Sequence, residues 1–286
     1  MSFSDPLVIL RPYPASTSDI AVVRAVRMAA AVSARVSAIA CGLAPKVPRS
    51  ILGNSLINVS GMVGEERRKS AADVERLLSR FADAVRECDL VLGDSISEMR
   101  QSPEAAGVVA DYARLYDLAI VPLSERDDIA RFDAQWYIEQ IVFGSGRPTI
   151  VVPQAEAGGP VVLDNIVIAW DKSRTATRAI ADAMPILRVA TDIRLLTVIR
   201  EKKIASQRSA DELAQHLALQ GVKVAVDEVD ARGRGIGEVL SHHAKVHDSD
   251  LIVMGAYGRT RMMEFILGGA TRAMLSRPPT ALFMSH

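Results

Sequence analysis

Short runs of Val, Ile and Leu punctuate this chain, each followed by a longer stretch in which apolar residues return every three or four positions. A brief aliphatic run without polar alternation suits a strand buried on both faces, and the longer stretches suit amphipathic helices. The pattern therefore predicts βα units around a parallel sheet. The units come twice. Leu7 to Leu10 opens one half as Ile166 to Ala169 opens the other, and Val36 to Ala40 answers Ile193 to Thr197. Asp117 to Val121 matches Asp250 to Met254, and Pro148 to Val152 matches Pro279 to Phe283. The chain reads as two α/β domains, residues 1–153 and 161–286, joined by a linker from Gln154 to Pro160 in which Gly and Pro interrupt any apolar period. Its length of 286 residues suits two domains, each large enough for its own core.

The first half carries extra residues, and Leu43 to Glu66, with two prolines and three glycines, is where they fall. Helix signals lie where the βα scheme requires them. Ser102 is positioned to cap a helix that begins at Pro103 with Glu104 in its first turn. In the second half Ile236, Val239, Leu240 and Val246 form an apolar stripe opposite Glu238, Ser241 and Lys245, so that helix is expected to lie against the sheet.

Charge changes the picture by exclusion. Lys plus Arg and Asp plus Glu number 34 each, which gives no basis for gripping a nucleic-acid backbone. No apolar run is long enough to span a bilayer, and the two cysteines, Cys41 and Cys88, read as buried thiols of a reducing compartment. The expectation is a cytoplasmic protein with neither nucleic acid nor membrane as partner.

Candidate chemistry gathers in the second half. Directly after the strand at Leu251 to Met254 come Gly255 and Gly258, then nine residues, then Gly268, Gly269, Ala270 and Thr271 before a helical run. Glycines at a strand's carboxyl end let a ligand approach the backbone, and amides that open a helix favour phosphate. This spacing resembles the nucleotide loop of the universal stress protein family. Val167 to Ser173 is similar to that family's first strand and turn, and Pro279 to His286 to its last strand. The resemblance covers both halves and implies a tandem member: two doubly wound five-stranded parallel sheets of Rossmann-like (HUP) type, each in the order 3-2-1-4-5. It implies an adenine nucleotide, ATP or else ADP or AMP, with Mg²⁺ as the accompanying ion. Carried over residue by residue, it sets Asp171 and Val198 against adenine, Met254 and Gly255 beside adenine and ribose, and Gly258, Gly268, Gly269, Ala270 and Thr271 around the phosphates.

Two departures matter. Gly269 stands where ATP-binding members typically carry Ser or Thr, so one hydroxyl to a phosphate is missing. In the first half the stretch Pro122 to Asp128 offers a proline and acidic residues in place of the glycines, which reads as a degenerate site. The resemblance also implies that the halves pack as an internal pseudo-dimer through Thr149 to Val152 and Thr280 to Phe283, each otherwise an exposed apolar edge, with a homodimer as the further assembly.

Other features read more plainly. Arg232 to Gly237 lacks the dinucleotide spacing and reads as a strand-to-helix turn. His243 and His247 have the four-residue spacing of metal ligands on a helix, but lie within the apolar stripe without a recognised motif, so no metal site is assigned. No catalytic residue is assigned, because no nucleophile elbow, Walker lysine or His-Glu-x-x-His motif occurs. Three functions stay open: a stress-responsive nucleotide-binding protein, a nucleotide-free interaction protein of the same fold, and a weak ATPase or phosphotransferase.

Overall fold

The structure, a computed structural model, describes residues 3–12, 16–44, 59–123, 128–154, 159–199, 209–256 and 269–286. The first half runs β1 (Leu7–Leu10), α1 (Asp19–Val32), β2 (Arg35–Leu43), α2 (Val59–Glu87), β3 (Val91–Arg100), α3 (Ser102–Ala113), β4 (Ala119–Pro122), α4 (Asp128–Ser145) and β5 (Thr149–Val152). The second repeats the order with β6 (Asn165–Ala169), α5 (Arg174–Leu187), β7 (Asp192–Ile199), α6 (Ala210–Leu219), β8 (Ala225–Asp230), α7 (Ile236–Val246), β9 (Leu251–Gly255), α8 (Gly269–Ser276) and β10 (Ala281–Ser285).

The ten strands of the described residues form one sheet in the order β3-β2-β1-β4-β5-β10-β9-β6-β7-β8. Each half is therefore a parallel sheet in the order 3-2-1-4-5, and the two meet at a single antiparallel seam where Val151, Ile150 and Thr149 pair with Leu282, Phe283 and Met284. The central strands β1, β4, β5 and β10 are buried along their whole length, because helices cover both faces and β5 and β10 cover each other's edge. On one face α1, α2, α5 and α6 bury Val26, Phe81, Ile180 and Leu217 against Val8, Ile150, Ile168 and Phe283. On the other, α3, α4, α7 and α8 bury Val109, Ile141, Leu240 and Met274 against Ile9, Val151, Val167 and Leu282. Both layers run unbroken across the seam.

Sheet register fixes which residues of the halves correspond. Asp117 accepts hydrogen bonds from the Ser4 and Asp5 amides, as Asp250 does from those of Asp164 and Asn165. The repeated aspartate thus caps the backbone that enters each first strand. Leu7 pairs with Ala119 as Val167 pairs with Ile252, so Leu7 corresponds to Val167, one place on from where the apolar runs align. A one-residue slip would turn every side chain to the wrong face, and Leu7 and Val167 do share a layer. Thr149 and Leu282, which pair with Ala119 and Ile252, correspond in the same way, two places on from the alignment of Thr149 with Thr280. Ile150 and Phe283, paired at the seam, then occupy equivalent positions, so the seam reads the same from either half.

Several local expectations need adjusting. The residue preceding α3 is Gln101, not Ser102, and it makes no side-chain cap; Pro103 still sits in the first turn. In α7 the buried face is Gly237, Val239, Leu240, His243 and Ala244, while Val246 is 61% exposed, because the stripe turns toward the histidines instead. Cys41 is buried, and burial pushes its thiol up to about 11, whereas Cys88 is only partly covered. Gly146 leaves α4 with φ +65, the left-handed exit expected of a helix-terminal glycine. Of the linker, Gln154 accepts from the Ser18 hydroxyl and the Gly159 carbonyl accepts from Arg27. No described helix is long and apolar enough to cross a membrane.

Candidate functional site

In each half the first strand's helix goes to one face of the sheet and the fourth strand's helix to the other. Connections therefore diverge between β6 and β9, which are neighbours, and the crevice beyond their carboxyl ends is the place where doubly wound folds take ligands. Asp171 is exposed just past the end of β6, with its Oδ1 accepting from the Ser173 amide. Lys172 between them has φ +62, an uncommon conformation for a non-glycine residue. Ser173 caps α5 by accepting from the Ala176 amide at 3.1 Å.

Met254, buried, and Gly255, half-buried, end β9 across the crevice from Asp171, and Val198 lies half-buried near the end of β7. Gly269 and Ala270 open α8 with Thr271 buried behind them. Gly258 and Gly268 lie outside the described residues. The structure thus brings Asp171, Met254 and Gly255 to the ends of two adjacent strands, with Val198 one strand further out.

The glycines differ in what they serve. A Cβ on Gly255 would stand 2.4 Å from the Ala176 amide nitrogen and 2.6 Å from Thr175, so Gly255 lets the first turn of α5 cross the strand end. Gly269 has no positive φ and, among the described residues, no heavy atom within 4 Å of its Cβ position, so nothing described around it requires glycine. Gly237 lies inside α7, where a Cβ would come within 2.6 Å of Ala273 Cβ; it sets how closely α7 and α8 pack. The turn before it uses Arg232 at φ +48 and Gly233 at φ +78.

Buried polar atoms collect at the same end of the second sheet. Trp170 Nε1, Thr197 Oγ1 and Ser285 Oγ are sealed from solvent and have no hydrogen-bond partner among the described residues. An orphaned buried group of this kind costs about 1–3 kcal/mol, so a cluster of them calls for a partner.

At the equivalent end of the first half the register sets Arg11 opposite Asp171 and Pro122 opposite Gly255. Arg11 is buried, and its backbone exchanges hydrogen bonds with Thr17 to close the turn into α1. Helix α4 spans 18 residues and packs Ile138, Ile141 and Val142 into the core.

A second polar group lies under α7, which sequence reading alone left unassembled. Asp227 Oδ2 sits 2.9 Å from His243 Nε2 and 3.2 Å from Arg194 Nη1. Burial works against the Asp227 carboxylate, but the His243 and Arg194 hydrogen bonds outweigh it and hold the carboxyl below its usual range. Burial likewise holds the His243 imidazole below its ordinary value, with the Asp227 contact opposing. The signal available was an aspartate on an inward-facing strand position together with two histidines on the apolar side of the next helix.

A sequence model of the universal stress protein family matches residues 163–285. Among solved structures, a universal stress protein from Archaeoglobus fulgidus is 13% identical, with a TM-score of 0.69 over 98% of this chain and 95% of that one. A proposed universal stress protein from Pseudomonas aeruginosa is also 13% identical, with a TM-score of 0.58 over 99% of this chain and 93% of that one. At these identities the likeness is one of fold, and it extends through both halves. No curated protein matches the chain.

Proposed function

We propose, from the premise that residues 163–285 of this chain belong to the universal stress protein family, that the second half holds an adenine nucleotide, with ATP as the leading candidate, in the crevice between β6 and β9. The observation that carries the reading is the divergence of α5 and α8 to opposite faces at that point, with an exposed carboxylate on one rim and a helix that opens with glycine on the other. The polar atoms of Trp170, Thr197 and Ser285, without partners among the described residues, add support, since a bound ligand would supply them. In this reading Asp171 and Val198 receive the base, Met254 and Gly255 the base and ribose, and the stretch from Gly258 through Gly268 to Gly269, Ala270 and Thr271 the phosphates and any Mg²⁺. The protein then acts as a sensor whose partners or conformation change with occupancy.

Isothermal titration of the full chain with ATP, ADP and AMP tests this. One equivalent of ATP is expected to bind, with a loss of at least about tenfold in affinity, or 1.4 kcal/mol, in Asp171→Ala. A second reading, a nucleotide-free interaction protein, draws on Gly255, whose missing side chain is accounted for by the passage of α5. No heat or saturation with any of the three nucleotides would select it.

A further inference from the structure

The geometry points to a divalent transition-metal site formed by Asp227, His243 and His247, of the kind that takes zinc, at the outer edge of the second half. The three side chains offer ligand atoms that all lie within 4.8 Å of one another. His243 lies in the last turn of α7 and His247 follows as its C-terminal cap, and their rings lie 4.4 Å apart between centroids. Asp227 reaches them from β8, the outermost strand. Two imidazoles and one carboxylate form a donor set suited to zinc or a similar borderline cation, and half-exposed His247 leaves a coordination position open to water. Ligand atoms about a tetrahedral zinc stand roughly 3.3 Å apart, given bonds of about 2.0–2.1 Å, so side-chain adjustment of about an ångström closes the site.

Three further observations favour a site over a mere packing accident. His243 is only 7% exposed, and its Nε2 already faces Asp227 Oδ2 at 2.9 Å, so two of the three donors are held together away from solvent. Arg194 Nη1 donates to Asp227, which orients the carboxylate in the manner of an outer-shell partner. The first half provides the control. Register sets Ile96 at the position of Asp227, and the burial pattern of α3 against α7 sets Val109 and Ala113 at those of His243 and His247. All three belong to or pack against one apolar cluster there. The fold thus fills these positions with hydrocarbon, and the second half has exchanged all three for metal-ligand types together. A bound cation would pin α7 to an edge strand that is otherwise largely exposed.

The test uses the full chain, stripped with EDTA and dialysed, then titrated with ZnCl2 by calorimetry and followed by thermal unfolding. Wild type is expected to take up one equivalent saturably and to unfold at a higher temperature with zinc. His242→Ala, which removes an exposed neighbour on α7, is expected to behave as wild type. His247→Gln and Asp227→Asn are expected to lose affinity beyond the about 10–100-fold that removal of an outer-shell partner costs. Co²⁺ in place of zinc should give visible absorption bands in the wild type that both variants lack. Should one ligand variant fold poorly by circular dichroism, the cobalt spectrum of the other against wild type still decides. Absence of saturable binding to stripped wild type, or binding undiminished in both ligand variants, would overturn the assignment and leave Asp227, His243 and Arg194 as a structural hydrogen-bond network.

Discussion

The two halves share an architecture and differ at the ends of their strands. Where β6 delivers an exposed Asp171 and β9 ends in Gly255 beneath α5, β1 delivers a buried Arg11 and β4 ends in Pro122. Under the outer helix, Asp227, His243 and His247 in one half face Ile96, Val109 and Ala113 in the other. The residues that hold the sheet together, from the strand cores to the paired aspartates Asp117 and Asp250, are kept in both. Packing constrains the interior of a repeat, whereas strand ends and an edge strand's inner face tolerate exchange. Chemistry can therefore be concentrated in one copy while the other serves as its structural partner.

The sharpest way to break this comparison is Gly255→Val. The new side chain would collide with the backbone of α5 at Thr175 and Ala176, and overpacking against backbone is expected to cost roughly 3 kcal/mol. A urea midpoint that falls at unchanged m would report it. Full retention of stability would mean that the approach of α5 does not distinguish the second half.

A smaller effect tests what the halves have in common. Asp117→Ala and Asp250→Ala each strip the acceptor from two backbone amides at a strand entrance, and each is expected to cost about 2 kcal/mol. Because both layers of the core cross the seam, one cooperative transition is expected for either variant, by circular dichroism and by intrinsic fluorescence alike. Two separated transitions would show that the halves unfold as independent units.

The smallest effect sharpens the reading of the crevice. Gly269→Ser places a hydroxyl at the start of α8 where no atom of the described residues lies within 4 Å of the new Cβ and no positive φ is required, so stability should stay within about 0.5 kcal/mol. If phosphates lie there, ATP should gain about 1 kcal/mol, roughly fivefold, and AMP less. Equal weakening of every nucleotide in a titration would remove phosphate from that end of the crevice.

The sequence by itself determined the repeat, the α/β class and the order of elements, because strands buried on both faces must be written as aliphatic runs and the entrance aspartate recurs in both copies. It left β3 unmarked and gave β8 only through the turn that follows it, since edge strands face solvent along much of their length and carry Ser, Asp and Glu where central strands carry Val and Ile. The glycine spacing after β9 was visible as a motif, yet its members have different reasons for being glycine. Gly255 answers to a helix passing 2.4 Å away, and Gly269 to nothing among the described residues around it. Apolar runs also aligned the first strands one residue out of register, because aliphatic identity does not encode which face a side chain takes; only the ladder to β4 and β9 does. Tertiary structure alone brought Asp227 on one edge strand to His243 and His247 at the end of the next helix. Their proximity is set by the pitch of α7 and the register of β8 on β7, neither of which is written in local spacing.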